Sequence, residues 1–211
     1  MTSATLFSLK ANEVKNDLPE FAKAEAFIVS QLDEKLSKYL LYHNREHTFD
    51  VLNVSMKIAE LERIPEDEMR LLRIAALFHD AGFIHGYKDH ERVGCDMVRE
   101  YLPQWGFTDE QILVICNMIM ATKIPQRPIT KLDQIIADAD LDYLGRDDVY
   151  IGAQRLHDEM RLLSLLQDEN KWIPLQIEFL KQHHYFTDYS KKNREANKNQ
   201  YLLALQEQLS R

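Results

Sequence analysis

The stretch HTFDVLNVSMKIAEL, residues 47–61, decides how this chain folds. At 100° per residue, Val51, Val54, Ile58 and Leu61 all fall within about 40° of His47. A helix made from this stretch has one apolar stripe, and His47 heads it, facing the core. Two other stretches put ionisable side chains on inward faces. In LLRIAALFHD, residues 71–80, Leu72 and Ala75 flank the direction of His79. Asp80 turns about 100° away, so the two reach a common point only near a helix end, which Gly82 is expected to supply. In IIADADLDYLG, residues 135–145, Ile136 and Leu144 bracket Asp140, whereas Asp138 and Asp142 point away from that stripe.

Each of these residues alone has an ordinary explanation: an inward histidine is more often hydrogen-bonded than ligating, and an HD dipeptide arises by chance. Together, His47, His79, Asp80 and Asp140 offer two imidazoles and two carboxylates, a mixed set that accepts Zn²⁺, Mn²⁺, Fe or Mg²⁺. Four such ligands leave positions open on a five- or six-coordinate ion, which favours Mn²⁺, Fe or Mg²⁺ over closed tetrahedral zinc.

The rest of the chain is helical in pattern. Apolar residues recur at three- and four-residue intervals, Pro and Gly together number twelve among 211 residues, and no alternating strand-like run appears. Helices are expected over about 18–41, 45–63 and 66–80, the last entered after Pro65. A loop over 82–89 follows, then a helix to about Leu102. The next opens at Thr108, where Gln111 three residues on completes a capping box. After a Pro-bearing loop over 123–128, helices are expected over 130–144, 147–166, 173–184 and 188–209. No repeat or linker divides the chain, so one all-α domain is expected. Cys95 and Cys116 lack metal-type spacing and read as buried small hydrophobes.

The net charge of −8 and the lack of a long basic stretch argue against duplex nucleic acid as a partner. No N-terminal signal segment and no apolar run of bilayer-spanning length is visible, so the expected setting is cytoplasmic, without a membrane partner. The sequence leaves the oligomeric state open.

The ordered set His47, His79-Asp80 and Asp140, running from YHNREH to DADLDYLG, resembles the HD-domain superfamily of metal-dependent phosphohydrolases. LYHNREHTFDV, residues 41–51, is similar to the first signature of cyclic nucleotide phosphodiesterases, and ALFHDAG, residues 76–82, to the second. The resemblance implies a single helical HD-type domain over 1–211. Its metal-site core spans about 40–145, and C-terminal helices over about 147–211 pack on it. It implies one or two divalent ions, with His47, His79, Asp80 and Asp140 holding the catalytic one, Asp80 being part of the catalytic set. The residue matching His43 is the general acid on the leaving oxygen, a role suited to an imidazole. If the second helix extends back one turn, His43 and His47 share a face at i and i+4.

In GYKDHERVG, residues 86–94, His90 resembles the histidine that holds a second ion in many members. Where two-metal members carry a further histidine, MIMATKIP, residues 118–125, has Lys123. Lys123 is a candidate phosphate contact, with a solvent-exposed loop lysine as the alternative. The phosphodiesterases also place a histidine closer behind the HD pair than His85 stands here. On the last helix Arg194, Lys198, Tyr201, Leu205 and Leu209 share a face, so its two cations are further phosphate candidates or simply snorkel into solvent.

The expected activity is hydrolysis of a phosphoester in a nucleotide or related metabolite by metal-activated water. The alternatives are a regulatory protein that binds metal or nucleotide without turnover and, with less support, an HD-type di-iron oxygenase, which expects two more histidines.

Overall fold

In the computed structural model, residues 19–210 are described, and all regular structure among them is helical. Ten α-helices follow in order: α1 (Pro19–Lys35), α2 (Arg45–Leu61), α3 (Glu66–Phe78), α4 (His90–Tyr101), α5 (Asp109–Ala121), α6 (Lys131–Asp140), α7 (Val149–Leu162), α8 (Trp172–Gln182), α9 (Asp188–Asn193) and α10 (Glu195–Leu209). The N-terminal segment in which a signal peptide was sought, and the first residue of the first expected helix, lie outside the described residues. No helix is long and apolar enough to cross a membrane among those described.

The local signals explain most boundaries. Glu66, Asp67 and Glu68 crowd the first turn of α3 behind Pro65, where the helix dipole favours negative charge. Thr108 and Gln111 exchange both bonds of a capping box at α5, at 3.2 and 2.9 Å. Thr130 and Asp133 do the same at α6. Asn44 caps α2 by accepting from the His47 backbone N–H at 3.1 Å, which also fixes that histidine in the first turn.

The differences from expectation have physical causes. α1 stops at Lys35 rather than near 41. Downstream, the backbone N–H groups of Tyr42 and His43 donate to the Glu159 carboxylate instead of to helical carbonyls. α2 therefore does not extend back over His43. The expected loop over 82–89 begins with a 3-10 turn, Ala81–Ile84. Gly82 does not end α3, which stops at Phe78; its role is close approach, since a Cβ there would lie 1.9 Å from the His90 carbonyl oxygen. The helix expected over 130–144 ends at Asp140 and continues as a 3-10 turn, Asp142–Gly145. The last helix breaks at Arg194, whose backbone packs on Gly145. The buried stripe of α2 ends at Ile58, with Leu61 59% exposed.

α3 packs against α1, α2, α5 and α6, and is the axis of the larger core, which contains Val51, Ile58, Leu72, Phe78, Ile119 and Ile136. A smaller core, built from Leu144, Val149, Ile177, Leu180, Tyr201 and Leu205, joins α7, α8 and α10 over the 142–145 turn. Cys95 and Cys116 are free and buried where α4 meets α5.

Candidate metal centre

The ends of three helices meet between the two cores. His47 lies in the first turn of α2, His79 caps the end of α3 with Asp80 after it, and Asp140 is the last residue of α6. His47 Nε2 lies 3.4 Å from His79 Nε2, 3.4 Å from Asp80 Oδ2 and 3.2 Å from Asp140 Oδ1. His79 Nε2 lies 3.2 Å from Asp80 Oδ2 and 3.6 Å from Asp140 Oδ1. His79 Nδ1 donates to the Ala76 carbonyl at 2.7 Å, so in the neutral ring Nε2 is a bare lone pair.

Imidazole nitrogens and carboxylate oxygens thus converge, and Asp80 Oδ2 is buried without a hydrogen-bond partner among the described residues. Such a set attracts positive charge. Burial lowers the proton affinity of His79, but Asp80 and Asp140 outweigh it and hold the imidazole well above the usual histidine range. Burial acts to raise Asp140, yet its hydrogen bonds with His47 and His79 bring it down to about 2. Ligand atoms about 2.0–2.2 Å from one divalent ion stand roughly 3.0–3.4 Å apart, which matches the shorter of these separations. The donor atoms of His47, His79 and Asp80 fit a divalent ion, all lying within 4.8 Å of one another, and Asp140 adjoins both histidines.

His90 is beside this cluster. Its Nε2 lies 3.4 Å from Asp80 Oδ1 and 3.6 Å from Glu91 Oε1, so the two oxygens of Asp80 face different histidines. The Gly82 contact is what seats the start of α4 so close.

His43 reaches the site without being on α2. Its Nδ1 lies 2.5 Å from Glu159 Oε1, and Glu159 also accepts from the backbone N–H groups of Tyr42 at 2.8 Å and His43 at 3.0 Å. Burial would raise the Glu159 carboxyl, but these bonds, led by the one to His43, hold it below the usual range. Phe83 stacks between the rings of His43 and His90, at 4.5 and 4.0 Å between centroids. Neither Glu159 nor Phe83 was among the residues expected from the sequence. Glu159 sits about 60° from Leu156 at the edge of the α7 stripe, an ordinary place for a charge. Its partner lies 116 positions away.

The remaining aspartates and cations are engaged elsewhere. Asp138 is fully buried but turned from the cluster, accepting from the Thr187 hydroxyl at 2.7 Å and from the N–H groups of Phe186 and Thr187 at 2.9 and 2.8 Å. Asp142, also buried, accepts from Arg194 Nε at 2.8 Å. Lys198 donates to the His183 carbonyl at 2.7 Å and pairs with Glu195 at 2.9 Å. Arg194 and Lys198, the two phosphate candidates of the last helix, are not among the described residues that line the cavity beside the metal centre. Lys123 does line it, half-exposed and paired with Asp89 at 3.1 Å. That cavity, of about 530 Å³, is bordered by His43, Asp80, His90 and Asp140 on one side and by α7 and α8 on the other.

The HD-domain family model matches residues 44–142, the stretch that contains His47, His79, Asp80 and Asp140. No curated protein matches the chain. Among solved structures, the fold is similar to a predicted HD superfamily hydrolase from an uncultured Thermotogales bacterium, at 21% identity over 91% of this chain and 92% of that one, with a TM-score of 0.58. The ordered histidines and aspartates, the helical fold that gathers them and the matched stretch agree: residues 44–142 of the chain are an HD domain.

Proposed function

We propose that this protein is a metal-dependent phosphohydrolase whose ion is held by His47, His79, Asp80 and Asp140. The observation that carries the reading is the donor cluster, with its unpartnered Asp80 oxygen, opening on a cavity bordered by the His43–Glu159 pair. A divalent ion held there supplies a Lewis acid for a phosphoryl oxygen and lowers the pKa of bound water.

The chain's own residues supply the rest. His79 is fixed by its bond to the Ala76 carbonyl, so its free nitrogen is aimed before any ligand arrives. Glu159 holds Nδ1 of His43 and leaves Nε2 to give a proton to the departing oxygen, the step that limits release of a poor leaving group. The stacked Phe83 restrains the His43 ring in that orientation. His90 and Glu91, beside the second oxygen of Asp80, are positioned to share in a second ion. Lys123 replaces the further histidine of two-metal relatives, and its charge is already balanced by Asp89.

The test is Mn²⁺-dependent release of nitrophenol from p-nitrophenyl phosphate and bis-p-nitrophenyl phosphate, with Asp80→Asn as the control. Turnover that disappears in the variant supports the assignment and separates monoesterase from diesterase. Tightly bound metal without turnover of either ester overturns it in favour of a non-catalytic or oxygenase role.

A further inference from the structure

The cavity beside the metal centre has two unlike walls. One carries ionisable groups, and among its described lining residues there are four carboxylates, Asp80, Asp89, Glu91 and Asp140, against one lysine. That lysine is already paired with Asp89. The other wall is apolar: Leu156 and Met160 from α7, and Trp172, Leu175, Phe179 and Leu180 from α8. Its polar exception, Gln176, accepts from the Tyr201 hydroxyl at 2.5 Å. The polar groove on the far side of His47 and Asp140 carries Arg146 and Arg155, but Asp50 and Glu46 pair with them.

A chain of phosphates needs several unpaired cations or bidentate arginines along its length. A nucleobase needs polar groups at its edges, because a site without them does not distinguish it. The cavity provides no such set of cations among its described lining residues, and on the wall formed by α7 and α8 a base edge would meet only Gln176, whereas burial of an apolar group is rewarded in proportion to its area. Resting on the phosphohydrolase reading above, we infer that the substrate carries a single phosphoryl group on an apolar leaving group, alkyl or aryl, which lies against α7 and α8. Nucleoside di- and triphosphates are disfavoured.

The test compares methyl, butyl, hexyl and 1-naphthyl phosphate with ATP on the Mn²⁺-loaded protein. Specificity, kcat/KM, is expected to rise about two- to fourfold per methylene until the wall is covered, with 1-naphthyl phosphate exceeding ATP at least tenfold. Leu175 is 48% exposed, so Leu175→Glu is compatible with folding and is expected to lower kcat/KM for 1-naphthyl phosphate about tenfold while sparing methyl phosphate. A flat alkyl series, or ATP as the better substrate, overturns the inference.

A second measurement separates this inference from the activity on which it rests. Trp172 lines the cavity and Trp105 is the chain's other tryptophan, so in Trp105→Phe protein stripped of metal the fluorescence reports the apolar wall alone. Saturable quenching by 1-naphthol, weakened by Leu175→Glu, upholds the apolar site even if no ester is hydrolysed. Its absence overturns the site even if nitrophenyl esters are turned over.

Discussion

The larger core and the smaller C-terminal core are built from the same kind of helix, yet they divide the work of the site. The larger one surrounds α3, whose Leu72, Ile74, Ala75, Leu77 and Phe78 are all fully buried, and the four expected ligands lie at or beside the ends of α2, α3 and α6 within it. The smaller one leaves Leu175 and Leu162 about half exposed and contributes cavity wall and one buried carboxylate, Glu159. Close packing resists displacement, so ligands anchored to the larger core keep their spacing. The proposed substrate contact falls to the part whose helices are more exposed. The comparison teaches that metal affinity and substrate orientation should separate under mutation.

The largest effect is expected on the metal side. Asp80→Asn removes the oxygen that adjoins both histidines, and loss of bound metal should exceed the roughly 10–100-fold that outer-shell changes cost. Metal content by elemental analysis checks it, and an unchanged content would break the division at once. Next comes Glu159→Gln, on the C-terminal side. It should keep the metal and lower kcat by about 100-fold, within the range of one acid–base group. The loss should be smaller for a nitrophenyl ester than for an alkyl ester, because a good leaving group needs less help from His43. Equal losses for the two esters would make Glu159 merely structural.

A third change tests the seam between the regions. Asp138 joins α6 to the segment 186–187, so Asp138→Asn should lower stability by about 1–3 kcal/mol by leaving N–H donors poorly matched, with metal content preserved. Urea unfolding of metal-loaded protein measures it; metal loss without destabilisation would contradict the geometry. The effect that is smallest at neutral pH, and grows only in acid, belongs to His183 in the C-terminal region. Burial first, and then Lys198, bring its pKa down to about 3, and Lys198 Nζ lies 3.3 Å from its Nδ1. Below pH 6.5 the unfolded chain takes up a proton that the folded chain refuses. Stability should therefore fall with pH between about 6.5 and 3, by at most about 1.4 kcal/mol per unit. His183→Gln should flatten that slope in metal-stripped protein, and an unaltered slope would assign the acid sensitivity elsewhere.

How much of this was legible in the chain depends on sequence distance. The direction of His47 follows from its own helix, and the choice of Asp140 over Asp138 and Asp142 as the neighbour of both histidines follows from rotation alone. Rotation did not reveal that Asp138 and Asp142 are also buried, because their partners, Thr187 and Arg194, lie 49 and 52 residues away. The same limit hid Glu159. It also made Arg194 and Lys198 look available: a helical face shows two cations in line, but not the His183 carbonyl or the Asp142 carboxylate that receive them. The start of α5 was readable through its capping box and that of α3 through Pro65. Ends such as those of α1 and α6 were not, since they depend on what the backbone meets next.

The run from Asp138 to Asp142 gives three alternate carboxylates three destinations: a clasp on 186–187, the metal cluster, and Arg194. The first two destinations are set by the phase of α6 and the third by the 3-10 turn that follows it, so inserting or deleting one residue between Asp138 and Asp140 would turn Asp140 by about 100° away from the histidines and shift the turn that carries Asp142. This stretch is therefore a reading frame in space. It can absorb changes of letter at one position with one local consequence, but a change of length would disconnect the cluster and the C-terminal helices together.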